Sequence, residues 1–210
     1  VSAVAASAAG LAAFARAIPA HSAAMRDGRR RAGLRVGVAM FLMLAVLAFA
    51  GQAGAAGIPA AYAPIVIQPS GLPERAEFDL TDAARRAKAE NKRLYVYLGA
   101  HDCSYCRRYE AFLQENAAEL VPEFARHGFI VVDLRSALSY TSKSLFIRVG
   151  EKSLSYLDFQ RSIGDARTRM LVYPNVWVLD ANLKPLMQMP TGAGTFQTVP
   201  EQLEILRLEE

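Results

Sequence analysis

The placement of the only two cysteines constrains this chain most. Cys103 and Cys106 lie three positions apart, directly after the apolar run 94–98 (LYVYL) and directly before a long helical pattern. A bridge across two intervening residues closes a very small loop and restricts the unfolded chain little. A stabilising disulfide framework needs more cysteines at wider spacing. The pair is therefore suited to chemistry rather than to stapling. The attacking species in disulfide exchange is the thiolate, and a free cysteine, with a pKa of about 8.5, is mostly protonated at neutral pH. Strand, turn, Cys-x-x-Cys and helix together place Cys103 at a helix N-terminus, where unpaired N–H groups and the macrodipole favour the anion. Cys106 follows one turn later, in reach of a mixed disulfide on Cys103. The pattern supplies a nucleophile and a resolving thiol.

The elements around the pair alternate between strand and helix. Prolines at 59, 64, 69 and 73 mark residues 58–74 as a linker or extended lead-in. Asp79 or Thr81 caps a helix running to about Asn91, with Leu80, Ala83, Ala84 and Ala87 at helical spacing. Residues 94–98 and 129–134 (FIVVDL) read as buried strands. The pattern from 104 to 126 reads as one helix that Pro122 breaks or kinks. Residues 136–169 are polar and mixed; they read as an insertion with one helix near 154–161. Residues 170–179 (MLVYPNVWVL) form a strand interrupted by Pro174, followed by a turn at 180–182, a returning strand at 186–189 and a last helix at 201–208. Proline inside an apolar strand argues against a central strand unless the chain does something special there. A cis Tyr173–Pro174 bond, bending the chain toward the cysteines, meets that condition.

Composition misleads until the first part of the chain is set apart. The chain is 52% hydrophobic with a net charge of +4. The apolar excess sits in the first 63 residues, and Arg16, Arg26, Arg29, Arg30, Arg31 and Arg35 precede the uncharged run 36–50 with only Asp27 opposing them. Without these residues, 18 basic face 19 acidic side chains. The remainder is near neutral and carries no footprint for nucleic acid. A basic start, an apolar middle and the small residues Gly51, Ala53, Gly54, Ala55, Ala56 and Gly57 are the pattern of a secretory signal peptide. The apolar run falls short of the roughly 20 residues of a spanning helix. Residues 25–57 are thus expected to be a signal peptide, or a membrane anchor if uncleaved, and translation is expected to start at Met25, with residues 1–24 an Ala-rich extension.

The order of elements, with Cys103-Ser104-Tyr105-Cys106 after the first central strand and Tyr173-Pro174-Asn175-Val176-Trp177-Val178-Leu179-Asp180 before a hairpin, resembles the thioredoxin-like superfamily. It is closest in style to exported bacterial members such as the SoxW type and the C-terminal domain of the transmembrane reductase DsbD. The resemblance covers about residues 75–208, within an expected domain of 75–210. It implies an α/β thioredoxin fold: a central mixed sheet flanked by helices, here with an insertion between the second central strand and the cis-proline strand. It implies a thiol–disulfide oxidoreductase in the periplasm, or otherwise exported, that reduces disulfides of other exported proteins. A membrane electron donor would recharge it, and no cofactor is required. Cys103 corresponds to the nucleophile, Cys106 to the resolving cysteine and Pro174 to the cis-proline. The Tyr173 backbone corresponds to the segment that hydrogen-bonds a substrate peptide. The departures are specific: Asp102 precedes the pair where thioredoxins have Trp, Ser104-Tyr105 replace Gly-Pro, and Tyr97 stands where thioredoxins bury an acid that deprotonates the resolving thiol.

Other residues complete the expected site. A protonated His101 would favour the thiolate and Asp102 would oppose it. Arg107 and Arg108 lie in the first helical turn, Tyr105 is exposed to contact substrate, Trp177 packs in the core, and Glu110, Glu115, Glu119 and Glu123 form a wet helix face. The rival reading is a thioredoxin-fold module that holds a metal or a partner without turnover, His101 and the distant His127 then adding to the two cysteines.

Overall fold

The computed structural model describes residues 57–165, 171–187 and 198–207. The expected leader and N-terminal extension lie outside the described residues up to Ala56, as do the starting Met170 of the proline strand, residues 188–189 of its returning partner and Leu208. Among the described residues no helix is long and apolar enough to cross a membrane.

The order is β1 (Ile65–Ile67), β2 (Ser70–Leu72), β3 (Arg75–Asp79), α1 (Thr81–Glu90), β4 (Arg93–Ala100), α2 (Ser104–Glu115), α3 (Ala117–Arg126), β5 (Phe129–Ser136), β6 (Leu145–Val149), β7 (Lys152–Ser155), α4 (Tyr156–Ile163), β8 (Asn175–Leu179) and α5 (Val199–Leu206). A four-stranded sheet runs β1-β5-β4-β8, with β1, β5 and β4 parallel and β8 antiparallel to β4. After β8 the chain turns back, Leu186 N–H donating to the Val178 carbonyl. A second four-stranded sheet runs β2-β3-β6-β7. The protein is a mixed α/β structure with helices flanking its sheets.

Strand β4 sits inside the first sheet, and its period of two sorts the core into two clusters. Leu94, Val96, Leu98 and Ala100 face one way, with Ile130, Val132 and Leu134 of β5, Trp177 and Leu179 of β8, Ala83 and Ala87 of α1, and Phe159 of α4. Tyr95 and Tyr97 face the other way, toward Tyr109 and Leu113 of α2, Leu120 and Phe124 of α3, and Leu206 of α5. A buried hydroxyl needs a partner. Tyr95 and Tyr109 meet oxygen to oxygen at 2.6 Å, and the Tyr109 hydroxyl donates to Gln202 Oε1 at 2.8 Å, which ties α2 to α5. Gly99 is small for a steric reason: a Cβ there would lie 2.4 Å from the Tyr97 ring.

Four expectations need correction. Residues 58–74 are not a linker, because Ile58 and Tyr62 are buried and β1 adds to β5 in the first sheet. Residues 136–169 hold more than one helix: β6 and β7 form a hairpin through Gly150 (φ +61°), and β6 pairs in parallel with β3. Strands this short, with Lys and Arg among their residues, leave little periodic signal. The helix expected over 104–126 breaks at Asn116, whose side-chain amide donates to the Phe112 carbonyl at 2.8 Å, and α3 continues through Pro122. The first helix begins one residue after Leu80; Asp79 acts just upstream, accepting the Thr81 N–H at 2.9 Å.

Gly99→Ala is expected to destabilise the fold by about 1–3 kcal/mol through overpacking against Tyr97. Urea denaturation checks this, and the penalty should shrink in a Tyr97→Ala background; an equal penalty in both would locate the clash elsewhere.

Candidate active site at the end of strand β4

Strand β4 ends at Ala100, and helix α2 begins four residues later. Cys103 is the N-cap of α2: its sulfur accepts the Cys106 N–H at 3.2 Å. The N-cap side chain satisfies the third amide of a helix, so two intervening residues give the capping register itself. Both thiols are unpaired. Cys106 Sγ in turn accepts the Ala100 N–H at 3.4 Å. Burial pushes the Cys106 thiol well above the ordinary range, the neighbouring Cys103 adds to this, and the Ala100 amide and the Tyr97 hydroxyl oppose it. The surroundings of Cys106 therefore favour its protonated form.

The turn before α2 is held from β5 and beyond. The Ser136 carbonyl accepts the His101 N–H at 3.1 Å and lies 3.0 Å from His101 Nδ1. A carbonyl only accepts, so Nδ1 carries the hydrogen. Asp102 Oδ1 accepts the Leu138 N–H at 2.8 Å, and that bond holds the exposed carboxylate below its usual range. Arg107 donates to the His101 carbonyl at 3.3 Å.

Tyr173 and Pro174 are joined by a cis bond, and β8 starts at the next residue, Asn175, opposite Leu98. Tyr173 belongs to the same packed cluster as both cysteines, its hydroxyl 2.6 Å from Ser136 Oγ. Tyr105 is 48% exposed, with the Arg108 guanidinium 5.6 Å from its ring centre, and Leu138 is 51% exposed. These two apolar groups flank the turn, while Cys103 is only 2% exposed. Trp177 is buried, as its composition and context suggested.

Glu110 departs from the expected wet helix face. Its Oε1 accepts the Tyr97 hydroxyl at 2.9 Å, and burial raises its proton affinity, opposed by the Gly57 amide and the Tyr97 hydroxyl. Tyr97 thus stands between the Cys106 thiol and a half-buried carboxyl on the next turn of α2. The i, i+4 spacing of Cys106 and Glu110 was a readable signal, but Glu115, Glu119 and Glu123 masked it by suggesting a solvated stripe. Asp133, inside the strand FIVVDL, was also overlooked; it is fully buried.

Metal chemistry finds less here. Among the described residues no group of three or more His, Cys, Asp and Glu side chains is placed to hold a metal ion. His127 closes the far end of α3, its Nε2 3.6 Å from Glu123.

No family model, curated protein or solved structure matches this chain.

Burial raises the proton affinity of Glu110 and of Asp133, so the folded chain binds more protons than the unfolded chain above the ordinary carboxylate range. Stability then falls as pH climbs from those ordinary values through the raised ones. Denaturant midpoints taken from about pH 4 to about pH 8 should carry a downward component with rising pH that is smaller in Glu110→Gln than in the natural chain. Identical pH dependence in the two proteins would contradict the assignment.

Proposed function

We propose that this protein is a thiol–disulfide oxidoreductase of the thioredoxin fold, working through Cys103 and Cys106. The observation that carries the reading is the Cys103 sulfur serving as the N-cap of α2, with the Cys106 amide donating to it. The strand order β1-β5-β4-β8, the antiparallel return after β8 and the Tyr173–Pro174 segment beside the cysteine cluster support the fold assignment. The second sheet built from β2, β3, β6 and β7 is then the elaboration that distinguishes this chain.

In the reductive direction, the Cys103 thiolate attacks one sulfur of a substrate disulfide. The other substrate sulfur leaves as a thiolate, and a mixed disulfide forms. The helix N-terminus stabilises the attacking anion. Cys106 then gives up its proton toward the Tyr97 hydroxyl and Glu110 and attacks Cys103 Sγ. The Cys103–Cys106 disulfide forms and the second substrate thiolate departs. Two thiols are oxidised and one disulfide is reduced. Tyr105 and Leu138 offer apolar surface beside the pair, and the Tyr173 backbone offers strand-like hydrogen bonds to an extended substrate segment. Because Cys103 is nearly covered, a substrate sulfur reaches it only as neighbouring groups give way. His101, fixed by Ser136, sits next to the pair in the turn and tunes its charge.

The substrates are disulfide-bearing exported proteins, and a membrane thiol donor recharges the pair. The basic and apolar pattern of residues 25–57 supports export to the periplasm or beyond, with the segment cleaved or kept as an anchor.

Cys106→Ala is expected to trap a mixed disulfide through Cys103, visible on non-reducing gels, and Cys103→Ala to trap none. Function surviving Cys103→Ala, together with stoichiometric bound metal, would favour a binding module instead. Equilibration of the pair in thiol buffers then gives the direction: a potential near about −270 mV marks a reductase and one near about −120 mV an oxidant.

A further inference from the structure

Beneath α2, strands β4 and β5 present a patch of four side-chain positions. Tyr97 lies opposite Asp133 and Gly99 opposite Arg135 in the parallel register, all on the face that α2 covers. With no side chain on Gly99, the Tyr97 ring lies over it and reaches Glu110. Asp133 has one oxygen committed: Oδ2 accepts the Ile58 N–H at 3.1 Å and the Arg135 Nε–H at 3.0 Å. Its Oδ1 is fully buried and has no hydrogen-bond partner among the described residues. Asp133 and Glu110 line one cavity of about 20 Å³, together with Gly57, Gly99, Ala100, His101 and Arg135. That space admits about one water. Two carboxyls lining so small a space interact through their charges.

The backbone of residues 57–58 closes this cavity. Gly57 offers its amide to Glu110, and Ile58 offers its amide to Asp133. A Cβ on Gly57 would fall 2.4 Å from Asp133 Oδ2 and 2.8 Å from Arg135 Nε. The chain passes so close to the Asp133–Arg135 pair that only glycine fits. A buried carboxylate with an unused oxygen costs stability.

We propose that Asp133 is a positioning residue for the proton released by Cys106: its negative charge, aimed into the cavity shared with Glu110, makes Glu110 the group that receives and keeps that proton. This inference rests on the oxidoreductase reading. Like charges at close range raise the proton affinity of the partner, and Asp133 acts on Glu110 in that sense. The other titratable or charged groups lining the cavity are Arg135 from β5 and His101 from the turn, while Tyr97 of β4 bonds Glu110 from beside it and interacts with Cys106 of α2; Arg135 opposes Asp133 by favouring both carboxylates. Residues 57–61 contribute no titratable side chain.

The test uses the full chain, reduced, and the chromogenic aromatic disulfide DTNB in stopped flow. The Cys103 thiolate attacks DTNB and releases one nitrothiolate. Cys106 then loses its proton through Tyr97 to Glu110 and attacks Cys103 Sγ, releasing the second nitrothiolate and leaving the protein disulfide. The first phase reads Cys103 and the second reads Cys106. Asp133→Asn is expected to slow the second phase several-fold, leave the first unchanged, and move the pH midpoint of the second phase down. Arg135→Gln, which removes the cation that favours both carboxylates, is expected to move that midpoint up. A merely structural role for Asp133 would not produce midpoints of opposite sign. Two normal phases with an unmoved midpoint in either variant overturn this inference alone. A natural chain that releases no nitrothiolate in either phase overturns the oxidoreductase reading, and this inference with it.

Discussion

Two tyrosines on one face of a strand buried from Leu94 onward set the terms for much of this structure. Tyr95 and Tyr97 point away from the aliphatic side of β4 into the space under α2. A hydroxyl taken out of water must find a partner or leave a penalty of about 1–3 kcal/mol. Tyr95 finds Tyr109 and Gln202, which fixes the middle of α2 against α5. Tyr97 finds Glu110, which fixes the first turns of α2 over the end of β4. The helix that carries the cysteine pair is thus held by hydroxyls rather than by aliphatic packing alone. Its position relative to the sheet decides where the two sulfurs sit.

The same constraint separates the electrostatics of the two thiols. Cys103 occupies the cap of α2, where backbone amides converge. Cys106 sits one turn deeper, without exposure, and its anion is opposed by burial. The two sulfurs of the pair therefore sit in different surroundings, one at the helix cap and one buried beneath it. The carboxyls of Glu110 and Asp133, the Tyr97 hydroxyl and the Arg135 guanidinium lie on the thiol side of that division. The chain between the start of the described residues and β1 borders that side, which gives residues 57–62 a role in the core that their proline and alanines conceal.

Much of the framework was legible without coordinates. Strands β4 and β5 announced themselves as continuous apolar runs, α1 by its alanine spacing, and the cis bond at Tyr173–Pro174 by a proline that no ordinary central strand accepts. The break at Asn116 was not legible, because Pro122 is the stronger conventional signal and the helix nonetheless accommodates it. Strands β3, β6 and β7 were not legible either. Each is short and partly polar, and each becomes a strand by pairing with a segment far along the chain, as β3 does with β6.

The division between the two kinds of knowledge follows the range of the forces. The spacing of Cys103 and Cys106, the strand before them and the helix after them are local, and local hydrogen bonding and periodicity were enough to place the sulfurs at a helix N-terminus. Which carboxyls come to lie near them is not local. Glu110 looks like one carboxylate in a solvated row until Tyr97 and residues 57–58 cover it, and Asp133 looks like an interruption of a strand until β4 lies beside β5 in register. Burial and charge coupling depend on what the rest of the chain brings near, so only the assembled structure assigns them.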